Sequence, residues 1–191
     1  MVLNKPGGVA TQPDFHERAR AWVKAEFKKP GNVFLEPIHR LDKAASGIVV
    51  FARTSKALSR LNEALRNQTM RKIYIAEVEG YVEEEGILEH YLLHGDFKAI
   101  IDPTGKKAVL RYKCLGKGKA TSLVEIELET GRYHQIRAQF AAIGHPIVGD
   151  QKYGSKTKSE KIALHHKEMT LTHPTTGERL TFMSEVETQR Y

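Results

Sequence analysis

The chain has 191 residues and a formal net charge of +7, from 30 lysines and arginines against 23 aspartates and glutamates. Its 40% of hydrophobic and 28% of charged residues are ordinary for a globular protein, and no apolar run reaches the ~20 residues of a membrane-spanning helix. The composition therefore argues against a membrane protein, and the lone cysteine, Cys114, rules out an internal disulfide. Because the sequence also shows no secretory signal, we expect a cytoplasmic protein.

The first half of the chain predicts two helices on either side of a buried strand. Apolar residues at helical spacing over residues 15–27 predict the first helix, with Asp14 as its cap. The apolar run at residues 48–52 predicts the strand. A second helix follows with Thr54 or Ser55 as its cap and an apolar stripe formed by Leu58, Leu61 and Leu65.

The second half predicts mainly β-hairpins. The expected strands lie at residues 73–78, 109–115, 121–129, 169–171 and 180–182, and Gly116-Lys117-Gly118 is expected to be a loop. One further helix is predicted at residues 133–143, with an apolar stripe formed by Tyr133, Ile136, Phe140 and Ile143. Since strands and helices mix without regular β-α-β alternation, we expect an α+β fold with a largely antiparallel sheet. With neither repeats nor a linker in the sequence, a single domain over residues 1–191 is predicted.

The positive charge is concentrated in the middle of the chain. Between Lys98 and Lys119 there are seven basic residues and one acid, Asp102. Such a stretch favours a polyanionic partner, nucleic acid first, because contacts with phosphates release counterions. The alternative is a solvated basic hairpin that serves solubility alone.

A segment with an arginine and an aspartate precedes the first predicted strand. It is His39-Arg40-Leu41-Asp42-Lys43-Ala44-Ala45-Ser46-Gly47. Residues two apart in an extended segment project to the same side, so Arg40 and Asp42 can face one cleft. A carboxylate beside an arginine stays ionised and is ready to act as a nucleophile or a base. The alternative is an ordinary surface ion pair.

Two further residues could belong to the same site. Arg137 lies on the edge of the apolar stripe of its helix, where a charge is costly unless it is paired. Asp42 is the natural partner, although Arg137 could also extend to solvent along its aliphatic stem. Tyr74 lies on a predicted strand with Lys72 on the same face, and its ring either packs in the core or offers a flat surface for a base.

Other chemistries find little support in the sequence. The nine histidines are scattered and do not cluster with carboxylates, so we expect no metal site. The segment Gly116-Lys117-Gly118 lacks the other glycines and the helix of a nucleotide-binding loop. Ser46 lacks the flanking glycines of a hydrolase nucleophile. We therefore expect neither a metal nor a cofactor.

Several sequence blocks occur in a fixed order along the chain. They are Asn4-Lys5-Pro6-x-Gly8, the segment at residues 39–47, Lys72-x-Tyr74-x-Ala76-x-Val78-x-Gly80, Thr130-Gly131-Arg132-x-His134-Gln135-Ile136-Arg137, Gly144-x-Pro146-Ile147-x-Gly149-Asp150-x-x-Tyr153-Gly154, Leu164-His165 and His173-Pro174. Together they resemble the RluA family of RNA pseudouridine synthases over nearly the whole chain.

The resemblance implies a mixed, mainly antiparallel central sheet, flanked by helices and loops and crossed by an active-site cleft. It implies cofactor-free isomerisation of a flipped-out uridine in structured RNA, either ribosomal or transfer RNA. By resemblance, Asp42 is the catalytic aspartate, Tyr74 packs against the target base and Arg137 pairs with the aspartate. Arg40 is expected to hold the RNA where the base is extruded, and Lys72 is assigned to RNA binding.

The chain departs from the family pattern in three places. Ala45 replaces a common threonine, little chain precedes Asn4, and no RNA-binding S4 domain is found. RNA recognition is therefore expected from the catalytic domain itself, and we expect a monomer because no exposed apolar stripe is left unassigned. A non-catalytic RNA-binding module and a metal-dependent nuclease are the alternatives. Intact Asp42 and Arg137 argue against the first, and the scattered carboxylates and histidines against the second.

Overall fold

Ten strands and three α-helices are found in the computed structural model, which describes residues 1–185. The strands are β1 (Val2–Lys5), β2 (Glu36–Pro37), β3 (Ser46–Ala52), β4 (Arg71–Glu79), β5 (Glu85–His94), β6 (Ala99–Ile101), β7 (Lys106–Lys117), β8 (Thr121–Leu128), β9 (Leu164–Thr172) and β10 (Arg179–Met183). The helices are α1 (His16–Glu26), α2 (Ser55–Arg66) and α3 (Gln135–Ala142). Short helical turns lie at Thr11–Phe15 and Gln151–Tyr153.

The strands form one sheet in the order β1-β3-β9-β4-β8-β7-β5-β6, with β10 beside β9 and β2 beside β3. Within residues 1–185, every strand pair is antiparallel except β3 with β9. The predicted α+β fold with a mixed, mainly antiparallel sheet is confirmed. None of the helices in this range has the length and apolar character needed to cross a bilayer.

The sheet is covered on both faces where β3 runs through it. Side chains alternate along a strand, so Val49 and Phe51 join one apolar cluster while Ile48 and Val50 join another. The first cluster includes Tyr74 of β4 together with Ile136 and Phe140 of α3. The second includes Leu61 of α2. Helices α2 and α3 therefore pack on opposite faces of the sheet.

The predicted helices are present, with corrections at their starts. Thr54 caps α2 by accepting a hydrogen bond from the backbone of Ala57, as predicted. Asp14 does not cap α1, because it lies in the preceding helical turn and α1 begins two residues later without a side-chain cap. Only Ala19 and Val23 of the predicted α1 stripe are buried, whereas Trp22 and Phe27 are exposed. This helix contacts the core along a narrow line.

Helix α3 is shorter than the periodicity predicts. His134 has a left-handed backbone with φ of 51°, so the helix begins at Gln135 and Tyr133 lies outside it. Tyr133 is accordingly exposed. Of the predicted stripe, Ile136 and Phe140 are buried in the core, and Ile143, just after the helix, packs partly buried against it.

Four strands were not predicted, and the longest of them is β5. Its sequence carries apolar residues on both faces, which obscures the alternation of a half-buried strand. Ile87, Tyr91 and Leu93 form an exposed row on its outer face. The expectation that no exposed apolar row remained was therefore wrong, and a monomer stays a prediction. Gly116 and Lys117, expected in a loop, lie within β7.

Strands β3 and β9 approach each other closely at Gly47, which pairs in register with His166. Its φ of +115° is unfavourable for any residue with a side chain. A Cβ atom there would lie 2.4 Å from the backbone oxygen of His166. Only glycine fits between these two strands.

We predict that Gly47→Ala destabilises the protein by at least about 3 kcal/mol, because strain in φ and a clash with backbone add up. Gly177→Ala is the control: φ is +77° there as well, but nothing lies within 4 Å of the added Cβ. Its cost should stay near 1–2 kcal/mol, roughly that of the left-handed conformation. Urea unfolding of both variants measures the difference between their free energies of unfolding. Equal losses of stability would contradict the predicted clash at Gly47.

Candidate active site

Asp42 lies in the segment between β2 and β3, which other parts of the chain hold in place. Thr11 Oγ1 donates to the carbonyl of Leu41 at 3.0 Å and accepts from its backbone nitrogen at 3.1 Å. Lys5 has no exposed surface, and its ammonium donates to the carbonyls of Ala45 at 2.6 Å and Val9 at 2.7 Å. Burial lowers the pKa of Lys5 to about 8, although the charge of Asp42 opposes the shift. Asp42 is thus fixed from both sides.

Arg137 is buried and binds two carboxylates. Its Nε and Nη2 donate to the two oxygens of Asp150 at 2.6 and 2.8 Å, the bidentate geometry that suits a guanidinium. Its Nη1 donates to Asp42 Oδ2 at 3.0 Å. Burial alone would lower the pKa of Arg137, but the hydrogen bonds and charges of Asp150 and Asp42 raise it above its ordinary value. The guanidinium therefore joins Asp42 to Asp150.

The structure settles which arginine contacts Asp42. Arg137, predicted as its partner, does so and does not extend to solvent. Arg40 is exposed and makes no ion pair within residues 1–185, so its position two residues from Asp42 gives no direct contact. Sequence reasoning missed Asp150 as the second carboxylate, although it lies in one of the sequence blocks that carry the family resemblance.

His134 contacts the same pair and was also missed. Its Nε2 lies 2.9 Å from Arg137 Nη1 and 3.7 Å from Asp42 Oδ1, and its Nδ1 lies 3.0 Å from the Tyr153 hydroxyl. Burial, aided by the charges of Arg137 and Lys152, lowers its pKa to about 4 despite the opposing carboxylates. The neutral ring therefore accepts from Arg137 at Nε2 and donates from Nδ1 to Tyr153. This assignment follows from the partners of each nitrogen.

Tyr74 lies in the core face of β4, stacked on a histidine. Its ring lies parallel to that of His166, with centroids 4.4 Å apart and an angle of 14° between the planes. Burial and the charge of Asp42 raise the pKa of the Tyr74 hydroxyl, so it stays protonated. That hydroxyl makes no hydrogen bond to any residue the structure describes. Tyr74 is fixed by its ring and leaves its polar end for a ligand.

Two further histidines support this ring. His166 is fully buried and donates from Nδ1 to the carbonyl of Ile48 at 2.8 Å. His39 contacts it edge to face with centroids 5.4 Å apart, and accepts at Nε2 from the backbone of Val50. Burial is the main cause that lowers the pKa of His166 to about 4 and that of His39 to about 3. Both rings are neutral at pH 7.

Lys72 lies beside these histidines and is half-buried. Burial lowers its pKa, and its charge helps to lower the pKa values of His39 and His166. Lys72 has no ion pair or hydrogen bond with another described side chain. An unpaired, partly buried ammonium of this kind is suited to an anionic or carbonyl ligand.

The fold is that of pseudouridylate synthase domains. The structure resembles that of human RNA pseudouridylate synthase domain containing 4 with a TM-score of 0.83, covering 97% of this chain and 84% of that chain at 22% sequence identity. At that identity the likeness establishes the fold alone.

Sequence comparisons establish the family. The model of the RNA pseudouridylate synthase family matches residues 1–142. The chain is 36% identical to dual-specificity RNA pseudouridine synthase RluA of Haemophilus influenzae, over 95% of this chain and 86% of that protein. It is 32% identical to tRNA pseudouridine synthase C of Vibrio parahaemolyticus, over 98% of this chain and 87% of that protein. The chain therefore belongs to the RluA-like RNA pseudouridine synthases, isomerases that convert uridine in RNA to pseudouridine.

Some relatives are considerably longer than this chain. Ribosomal large subunit pseudouridine synthase C of Buchnera aphidicola is 32% identical over 94% of this chain, but the chain covers 62% of that protein's length. The similarity to such longer proteins is thus confined to part of their length.

We predict that Asp150→Asn lowers the free energy of unfolding by about 3–5 kcal/mol, because it removes one partner of a buried ion pair. Side chains of this pair are 7% and 1% exposed, whereas those of Arg111 and Glu129 are 57% and 38% exposed at a similar distance. Glu129→Gln is therefore the matched control and should cost less than about 1 kcal/mol. Urea unfolding distinguishes the two, and a small loss in Asp150→Asn would show that Arg137 does not depend on this carboxylate.

We also predict that stability falls as the pH is lowered from 6.5 towards 4. An unfolded histidine takes up a proton near its ordinary pKa of 6.5, whereas folded His166 resists protonation until about pH 4. Between these two pH values the unfolded chain binds more protons than the folded chain, so lowering the pH favours unfolding. The free energy of unfolding falls by up to about 1.4 kcal/mol per pH unit for each such histidine. Urea unfolding across this range should give a shallower slope for His166→Leu than for the wild type. Equal slopes would contradict the prediction.

Proposed function

We propose that this chain converts uridine in structured ribosomal or transfer RNA into pseudouridine, and that Asp42 starts the reaction. The observation that carries the proposal is the hydrogen bond from buried Arg137 to Asp42 Oδ2. Asp150 holds the same guanidinium through two hydrogen bonds, so the position of Asp42 is fixed. The other oxygen, Asp42 Oδ1, accepts no hydrogen bond from a described residue and is available to a substrate.

The reaction needs such a carboxylate. The bond between C1′ of the ribose and N1 of uracil breaks, the uracil turns, and a bond forms between C1′ and C5. The proton on C5 is lost and N1 gains a proton, so the product is an isomer of the substrate. A carboxylate can start this either by attacking C1′ or by taking a proton from the ribose. Both routes use the free Asp42 Oδ1.

Tyr74 is proposed to pack against the target base. A base inside an RNA helix must be flipped out before its ribose can be reached, which costs a few kcal/mol. A fixed ring that receives the flipped base offsets part of that cost. Stacking on His166 provides this fixed orientation, and the free hydroxyl can hydrogen-bond to the base. The pKa shift of Tyr74 favours a role as hydrogen-bond donor over one as base.

Arg40 and Lys72 are proposed to bind the RNA. Arg40 is exposed, has no ion-pair partner among the described residues and lies two residues from Asp42. A guanidinium can bind phosphate and can also stack in the space that a flipped base leaves. Lys72 is unpaired on the same strand as Tyr74 and can contact a phosphate or a base carbonyl.

Ribosomal and transfer RNA are both proposed as substrates. One relative is named a ribosomal large subunit pseudouridine synthase and another a tRNA pseudouridine synthase. We further propose that residues 1–191 form a single catalytic domain, since one sheet runs through the described part of the chain. A cytoplasmic location and a monomeric state stay predictions.

The decisive test is tritium release from RNA labelled at C5 of uridine and taken from cells that lack this protein. Wild-type protein should release tritium, because C5 loses its proton in the isomerisation. Asp42→Asn should release none while still binding the RNA, since the amide cannot act as nucleophile or base. Asp102→Asn alters an exposed carboxylate in a turn and should behave as wild type.

Release by Asp42→Asn at the wild-type rate would overturn the role of Asp42. No release by the wild type, together with tight and salt-sensitive RNA binding, would favour a non-catalytic RNA-binding module instead.

A further inference from the structure

Three aromatic rings stack in a row that leads away from Asp42. The ring of Tyr133 lies between those of His134 and His94, with centroids 3.9 and 4.1 Å apart and interplanar angles of 19° and 18°. His134 is the inner ring and contacts Arg137. His94 is the outer ring and is exposed to solvent. We call this set of three the ring column.

Local backbone geometry builds the ring column. His134 has a left-handed backbone conformation, so α3 begins at Gln135 and Tyr133 lies outside the helix. His94 is the last residue of β5 and pairs with Ala99 of β6. The backbone nitrogen of Ala99 donates to the Tyr153 hydroxyl, which also accepts from His134. Both ends of the ring column are thus tied to Tyr153, so the column is preorganised.

Cations beside the ring column lack acidic partners. Lys98 lies over the ring of Tyr153, Lys152 donates to the carbonyl of Phe97, and Arg132 donates to the carbonyl of Lys107. None of these three cations forms an ion pair within residues 1–185. An anion beside the ring column would therefore find uncompensated positive charge.

The opposite face of the sheet is different. Lys107 pairs with Glu89 at 2.8 Å and Arg111 with Glu129 at 2.7 Å, all exposed on the outer face. The basic stretch that the sequence pointed to is therefore neutralised in part on this face. Among residues 1–185, the three stacked rings and these unpaired cations lie together on the side of Asp42.

We propose that the outer face of His94, supported by Tyr133, stacks a nucleobase of the substrate RNA that neighbours the target uridine. Exposed rings among cations are the usual surface for unpaired bases, because every base has a π-face and its phosphate needs a counter-charge. Lys98, Arg132 and Lys152 hold the adjacent phosphates. This inference rests on the proposed function, because it places a neighbouring nucleotide relative to Asp42.

Equilibrium binding to unmodified RNA from cells lacking the protein tests the proposal without relying on catalysis. The double variant His94→Ala/Tyr133→Ala removes both outer rings, since either ring alone could still stack a base. We expect its Kd to rise about 10-fold, the effect of losing one stacked base. Tyr133→Phe keeps the π-face and should bind as wild type. Tyr91→Ala is the matched control, an exposed tyrosine on the outer face of the same strand.

The salt dependence separates stacking from charge. Stacking releases no counterions, so the double variant should keep the wild-type slope of log Kd against log salt concentration. Lys98→Ala should reduce that slope by about 0.7–1, the effect of losing one phosphate contact. An unchanged Kd in the double variant, an equal rise in Tyr91→Ala, or an equal rise in Tyr133→Phe would each overturn the proposal.

His94→Glu covers the possibility that the double variant does not fold. This residue is exposed, so the change should not affect folding, and the added carboxylate should repel the phosphates and raise Kd at least as much. Wild-type binding by His94→Glu would overturn the proposal. The tritium-release assay tests the proposed reaction separately from the proposed stacking. If the wild-type protein releases no tritium, the proposed reaction is refuted. The binding measurements still decide whether the ring column stacks a base.

Discussion

The burial of one guanidinium is the constraint on which the rest of the site depends. Arg137 lies inside the protein, where its charge is stable only with partners that replace water. Asp150, 13 residues away in the chain, and Asp42, 95 residues away, supply them. One side chain of α3 therefore fixes both the turn after that helix and the segment between β2 and β3. The same contacts that satisfy the buried charge orient the carboxylate that we propose starts the reaction.

Neutral histidines lie in two places in the site: His134 contacts Arg137, and His166 stacks on Tyr74 with His39 against it. Burial keeps His134, His166 and His39 unprotonated, so each offers an acceptor nitrogen and a flat apolar ring. A protonated His134 could not accept the hydrogen bond from Arg137, and the charge of Lys72 would repel protonated His166 and His39. The site thus places fixed charges on arginine and aspartate and uses imidazoles for packing and hydrogen bonding. This division gives Tyr74 and Tyr133 rigid neighbours without adding charge where we propose that bases of the RNA bind.

The fold places paired and unpaired cations of the chain on different sides of the sheet. On the outer face, cations such as Arg71 and Arg111 lie opposite glutamates on neighbouring strands. On the side of Asp42, cations such as Lys72 and Lys98 form no ion pair with any residue in the described range 1–185. Net charge alone therefore overstates the surface available to a polyanion. The useful quantity for RNA binding is the charge left unpaired next to the site.

The sequence by itself determined the fold class and much of the site. Alternation in β8, the capped α2 and the position of Arg137 on the edge of an apolar stripe all follow from local periodicity, which depends on neighbours along the chain. The need of Arg137 for a carboxylate followed too, because a buried charge must be paired. Local patterns could not identify Asp150 as the bidentate partner, or the stacking of Tyr74 on His166 and of Tyr133 between two histidines. These contacts join residues that only the sheet order and the left-handed turn at His134 bring together, so the tertiary structure alone decided them.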